Sequence, residues 1–138
     1  MFGFESNERR TMPRLLAYWD ERRGRRSFPS LEDMESEAIA ELWPHCFVVD
    51  PIIGNRALCY IGAAYLYVPD GSFQALLDQV LSPVSEVLRA KEPVLSAGEI
   101  IYYGGRQLLL RSILLPLSED NKSINLVLGA SAFRIVTA

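Results

Sequence analysis

One histidine, His45, and two cysteines, Cys46 and Cys59, are the only soft metal ligands among the 138 residues. That scarcity excludes a two-histidine metal centre, and a structural zinc wants four ligands at close spacing. A buried thiol and a strand-edge imidazole are the better account of these residues, with no metal site. Met1 to Arg10 lacks the apolar stretch of a signal peptide, so an oxidising compartment and a disulfide framework are not expected. No apolar run approaches the roughly 20 residues that cross a bilayer, since even Gln107 to Leu117 contains Arg111 and Pro116. An excess of basic charge is lacking too. With a net charge of -3, general attraction to DNA or to an anionic membrane is excluded. The expected location is cytoplasmic, without a membrane span and without a DNA partner.

What is present is the profile of one globular domain: 49% hydrophobic and 22% charged residues, in a chain long enough for a core but short for two domains. Arginines crowd the start (Arg9, Arg10, Arg14, Arg22, Arg23, Arg25, Arg26), and acids cluster from Asp33 to Glu41. Two readings follow: a solvated, mutually compensating surface, or an anion or partner patch.

Met12, Leu15, Leu16 and Trp19 recur at helical spacing, with Pro13 tolerated in a first turn and Gly24 placed to stop the helix, which predicts an amphipathic N-terminal helix. Arg25 to Ser30 reads as a connector and Glu35 to Trp43 as a short helix ended by Pro44. Cys46 to Asp50 and Ala57 to Tyr67 read as a hairpin around Gly54 and Asn55. After Pro69, Asp70 and Gly71, apolar residues from Phe73 to Leu88 follow helical steps, with Pro83 forcing a break or kink. Pro93 to Tyr103, Arg106 to Leu117 and Ser123 to Val136 read as three strands. The predicted class is α+β: a five-stranded antiparallel sheet with helices on one face. In Leu108, Leu109, Leu110 and in Ile113, Leu114, Leu115 both alternating sets of side chains are apolar, so neither sheet face can be left to water there. The N-terminal helix is expected to cover the second face, in its own subunit or a partner's.

The order and spacing of several short motifs resemble the PAS domains, and in particular the bacterial single-domain PAS-like family that begins with a Tyr-Trp helix. They are Leu16-Ala17-Tyr18-Trp19, Arg23-Gly24-Arg25 with Phe28-Pro29, Asp33-Met34, Leu42-Trp43-Pro44-His45 leading into Phe47-Val48-Val49-Asp50, Tyr60-Ile61-Gly62, Leu115-Pro116-Leu117 with Asp120, and Leu128-Gly129-Ala130. The likeness runs from about residue 14 to about residue 131. It implies a PAS-like domain over 31–138, preceded by a helix and connector over 1–30. It also implies sensing by binding in signal transduction, with the leading helix tending to mediate dimerisation or signal transfer. The sequence departs from the family after Gly62, where Ala63 to Gly71 is tyrosine-rich, and at Asn121, which replaces a customary glycine but tolerates left-handed geometry.

Haem-binding relatives use an axial histidine in the helical segment, and Phe73 to Glu92 has none. Flavin-binding relatives use a reactive cysteine in a helix, whereas Cys46 and Cys59 fall in predicted strands. Both cofactors are disfavoured, and the identity of any other is unknown. No serine, histidine and acid form a nucleophile motif, and neither Gly104-Gly105 nor Ser96-Ala97-Gly98 opens a phosphate loop, so no enzyme activity is expected. Tyr60, Tyr65, Tyr67, Tyr102 and Tyr103 either line a pocket or fill half-buried strand positions; of these Tyr60, Tyr65 and Tyr102 are the candidates for ligand contact. Arg111 interrupts a leucine-rich strand and needs a partner: an acid of the short helix, solvent, or the anionic group of a ligand. A small molecule, such as a cyclic dinucleotide, is one expected partner. The others are a downstream signalling protein and a second copy docked through Leu15, Leu16, Tyr18 and Trp19. A ligand-free adaptor is the alternative.

Overall fold

The computed structural model describes residues 5–51, 57–63, 81–103 and 106–136, and the side chains of all of these except 5–10, 57, 97–103, 106–108 and 133–136. Along the chain run α1 (Glu5–Arg23), α2 (Leu31–Met34), a 3-10 helix (Glu37–His45), β1 (Cys46–Asp50), β2 (Ala57–Ile61), α3 (Val84–Ala90), β3 (Val94–Tyr103), β4 (Arg106–Leu117) and β5 (Leu126–Val136). The class is α+β with one five-stranded sheet in the order β2-β1-β5-β4-β3. Every adjacent pair is antiparallel.

Local chemistry explains where these elements stop and start. Gly24, at φ +57°, takes the left-handed turn that ends α1. Ser30 caps α2 through a reciprocal pair: its hydroxyl accepts the Asp33 N–H at 3.1 Å, and the Asp33 carboxylate accepts the Ser30 N–H at 2.9 Å. That short helix begins directly after the stretch read from sequence as a connector, whose last residue, Ser30, is its cap. Ser36 opens the 3-10 helix by accepting the Ala38 N–H. Pro83 falls in a turn between the helical Leu81 and α3, a break in the helical segment of the kind its ring forces, and Lys91 closes α3 in a left-handed conformation. Asn121 is left-handed as well, at φ 62°. Its side-chain oxygen accepts the Ser27 N–H at 2.7 Å and the Phe28 N–H at 3.3 Å, so the β4–β5 turn is fastened to the connector after α1.

Residues paired across antiparallel strands share a face. Tyr60, Val48, Leu128 and Leu115 form one cross-strand row, and Ile61, Phe47, Gly129 and Leu114 form the row on the opposite face. Consecutive residues Ser112 to Ser118 of β4 and its exit are all buried, so both faces are covered at that point, as the two-sided apolar strand requires. Part of the cover comes from α1, which packs against β4 and β5 and touches α2 and the 3-10 helix. Met12, Leu15 and Trp19 of α1 are buried in the same core as the sheet, while Arg14, Asp20, Glu21 and Arg22 are exposed. The helix therefore meets its own sheet. Val84 and Val87 of α3 are also buried, and α3 packs against β4.

Trp19 makes the most specific of these contacts: its indole N–H donates to the Pro116 carbonyl at 2.8 Å. In an antiparallel strand a residue's N–H and C=O point to the same side. β3 pairs with β4 only as far as Leu114. Pro116 thus turns toward the side that no strand occupies among the described residues, where a missing N–H breaks no ladder bond and the carbonyl receives the indole.

Asp33 gathers several contacts besides its capping role. Arg26 pairs with it at 2.8 Å and Arg22 at 3.6 Å. The Ser30 backbone N–H, more than the Arg26 guanidinium, holds its carboxyl below the usual value against the opposing effect of burial. Backbone N–H groups of Ser123 and Lys122 likewise lower Asp120, and a backbone contact with the help of Arg14 lowers Glu41. A carboxyl lowered on folding adds stability that is present above its unfolded value of about 4 and is lost as pH falls through the folded value. Asp33→Asn is therefore expected to be less stable than the parent at neutral pH, and the two should converge in acid. Urea unfolding at both pH values checks this; a constant gap would show that the charge of Asp33 is not what matters.

Candidate functional site

Among the grooves that the described residues form, two are open and well defined. The first, about 600 Å³ in volume, lies between α2, the 3-10 helix and the β1–β2 hairpin. Leu31, Ala40, Trp43, Val48 and Leu126 give it apolar walls, Cys59 and Tyr60 line its β2 side, and Glu35 and Glu37 are its charged lining residues. Its fixed point is an aromatic pair. The rings of Trp43 and Tyr60 meet edge to face, 5.5 Å apart at 80°, and the Tyr60 hydroxyl donates to the Trp43 carbonyl at 3.1 Å. Edge-to-face contacts of this kind contribute about 0.5–1.5 kcal/mol beyond area burial. Tyr60 remains 39% exposed, so the pair is held in place yet still presents surface. Burial, with the neighbouring Cys46, pushes the Tyr60 hydroxyl pKa upward, and the group stays a neutral donor.

The second groove, about 750 Å³, runs between α1 and the approach to β3, past Pro13, Leu16, Ala17, Lys91 and Pro93. Arg23 lies over the Trp19 ring at 5.4 Å from its centre and pairs with Asp20 at 2.7 Å.

The residues singled out from sequence do not converge on one site. Tyr60 lines the first groove. Arg111 is exposed on β4, in register with Ala97 and Ala132. It shares a face with Tyr60, but lies three strands across and four residues along, roughly 20 Å away. One small molecule does not reach both. Tyr102 sits on β3 opposite Gln107, with its side chain outside the described residues, and Tyr65 lies outside them altogether. Of the proposed docking residues on α1, Leu15 and Trp19 point into the chain's own core, at 0% and 5% exposure. Leu16 and Tyr18 are half-buried against that core and are the outward part of the stripe.

From Arg14 to Arg26 the arginines are largely neutralised internally, and the side chains of Arg9 and Arg10 lie outside the described residues. Arg14 pairs with Glu41, Arg22 and Arg26 with Asp33, and Arg23 with Asp20. Arg25 is the exposed arginine of Arg14 to Arg26 with no ion pair among the described residues. The compensating surface is thus the reading that the side chains follow.

The cysteines differ sharply. Cys46 is buried, donates to the Leu42 carbonyl at 3.3 Å and has its pKa pushed up by burial to about 12, which keeps it a thiol and unreactive. Cys59 is exposed, and neither cysteine forms a disulfide. Burial lowers the His45 pKa. Among the described residues, no group of three or more His, Cys, Asp or Glu could hold a metal ion, and no helix is long and apolar enough to cross a membrane.

Two features escaped the sequence. The Ser30–Asp33 capping pair is a recognisable signal, spaced as a capping box with Asp in place of Glu. The Trp43–Tyr60 groove has no such signal, because its residues come from three separate segments. No protein-family model matches the chain, and no curated protein matches it.

Proposed function

We propose that the chain is a PAS-like regulatory domain that works by binding, taking a small molecule, a protein segment or both, in bacterial signal transduction. The observation that carries this reading is the sheet order. β2 and β3 are the two outermost strands, so the connection from Gly62 to Val94 joins opposite edges of the sheet, about 19 Å apart at four strand spacings. The described end of that connection, α3, packs against β4. A hairpin, a helical connection across the sheet and a three-stranded meander are the arrangement that the PAS resemblance implies for enclosing a ligand. The resembling motifs also fall at structural joints: Trp43-Pro44-His45 leads into β1, Gly62 follows β2, and Leu115-Pro116-Leu117 closes β4.

The test is native mass spectrometry of freshly purified protein, followed by a thermal-shift screen against nucleotides, cyclic dinucleotides and other metabolites. A ligand at a hundredfold excess over its Kd adds about 2.7 kcal/mol, a rise of roughly 10 °C for a chain of this size. A compound that co-purifies or gives such a shift is the expected result. An empty chain that no compound stabilises would sink the sensor reading and leave the ligand-free adaptor. The open aromatic groove favours that second reading. A homodimer through α1 would use Leu16 and Tyr18, since Leu15 and Trp19 are engaged within the chain; Leu16→Glu is then expected to shift sedimentation to the monomer.

A further inference from the structure

The charges around the first groove are unbalanced in one respect. Five acids, Glu32, Asp33, Glu35, Glu37 and Glu41, lie on α2 and the 3-10 helix or just between them, and those at the groove differ from those that arginine holds. Asp33 and Glu41 are each held by arginine. Glu35 and Glu37, the two that line the groove, have no ion-pair partner among the described residues. Among the described residues no lysine or arginine lines the groove either. An apolar trough with a prefixed aromatic pair, Tyr60 exposed and Trp43 half-buried, and with two carboxylates on its rim that are unpaired among the described residues is complementary to an apolar group flanked by positive charge. Trp and Tyr anchors of this kind carry a disproportionate share of binding energy at protein interfaces. The groove also borders β2, an edge strand that pairs only with β1 among the described residues, and an edge strand offers unpaired backbone groups to an incoming chain.

We propose that this groove is the docking surface for a segment of a partner protein in which an apolar side chain is flanked by lysine or arginine. The apolar side chain seats against Trp43, Tyr60 and Leu31, and the cations face Glu35 and Glu37. This assignment rests on the reading of the chain as a binding module, and it names the surface and the chemistry of the protein partner. It is independent of whether a metabolite is held elsewhere in the fold.

Selection of random phage-displayed peptides on the whole chain tests it. Affinities of the enriched peptides would then be measured on the parent, on Tyr60→Ala and on the double charge reversal Glu35→Lys/Glu37→Lys. The enriched peptides are expected to place an apolar residue beside lysine or arginine. They should lose about tenfold in affinity on each variant and weaken as salt rises from about 0.05 M to about 0.5 M. Glu35 and Glu37 are exposed, so the melting temperature of the double variant should match that of the parent, which separates lost docking from lost folding. Failure to enrich any peptide, enrichment of acidic or uncharged peptides, or equal binding to parent and variants would each overturn the proposal. A metabolite whose stabilising effect vanishes in Tyr60→Ala, with no peptide enriched, would give the groove to a small molecule and overturn it too. If metabolites stabilise parent and groove variants alike while peptides fail, the docking surface is wrong and the sensor reading survives. Peptides that behave as expected on a chain no metabolite stabilises give the reverse outcome.

Discussion

Adding one methyl group at Gly62 is expected to lower the unfolding free energy by about 3 kcal/mol or more. A Cβ on Gly62 would stand within 2.5 Å of the Trp43 carbonyl oxygen and closer still to the Pro44 carbonyl. These obstacles are backbone atoms, and they cannot rotate away as a side chain can. The Gly62 N–H is also tied to the Cys46 carbonyl at 2.8 Å, so the glycine cannot retreat without breaking the bond that sets the end of the hairpin against the start of β1. Two other glycines calibrate the effect. Gly24 has nothing within 4 Å of a built Cβ but a left-handed φ of +57°, so Gly24→Ala should cost only about 1 kcal/mol. At Gly129 the obstacle is the Phe47 ring, within 2.5 Å at Cε1 and closer at Cζ. There a second substitution, Phe47→Leu, should recover part of the loss of Gly129→Ala, whereas no neighbouring side-chain change should recover Gly62→Ala. Urea unfolding of the three variants and the double variant decides the matter. Equal losses at Gly62 and Gly24 would mean that close approach of the 3-10 helix to β2 is not what requires a glycine.

How far the sequence discloses this fold depends on whether a feature is local. The two-sided apolar runs of β4 predict its burial because alternation is a property of consecutive residues, and Ile113, Leu114 and Leu115 are each buried. Gly24 and Asn121 are legible for the same reason: a left-handed backbone restricts the residue that adopts it, and both have positive φ. Local signals become ambiguous where two structures share them. The segment Glu35 to Trp43 reads as a helix ended by Pro44, yet a 3-10 helix forms over Glu37–His45, with Pro44 inside it and a non-helical Ile39, since proline and a β-branched residue weaken an α-helical turn. The stretch ending at Ser30 looks like a connector by composition, and only the Ser30–Asp33 spacing discloses that a capped turn follows.

The candidate site is legible only in part. Tyr60 stands out because an aromatic in an alternating strand must face either core or surface. Its partner Trp43 lies 17 residues away in sequence, and nothing local ties the two together. Arg111 stands out as a charge within an apolar strand, but whether the head escapes the core depends on where α1 stops covering the sheet. α1 crosses β4 near Pro116, and Arg111 lies beyond that cover and is exposed. The same helix illustrates what periodicity leaves open. An apolar stripe fixes that Met12, Leu15 and Trp19 are covered, but does not say by which chain, and the answer comes from the bond that Trp19 makes to the sheet.

That bond sets the second large effect. Trp19→Ala is expected to destabilise the fold by about 3–5 kcal/mol, the range for removing a buried aromatic. The indole is 5% exposed and covers β4 where β3 has already ended. Trp19→Phe separates the two contributions: it keeps most of the apolar surface but leaves the Pro116 carbonyl without its donor, at a cost of about 1–3 kcal/mol if water cannot reach it. Chemical unfolding should therefore rank the parent above Trp19→Phe and Trp19→Phe above Trp19→Ala. Amide exchange should show where the loss falls. With the ring gone, protection should drop first at Leu115 and Leu117, because those strand residues lose the helix that covers them, while the Phe47–Val49 amides on the far side of β5 should hold until global unfolding. If Trp19→Ala lies within about 1 kcal/mol of the parent, the N-terminal helix is not a structural layer of this sheet. Its apolar stripe would then be available to a second copy, and Leu15 and Trp19 would return as interface residues.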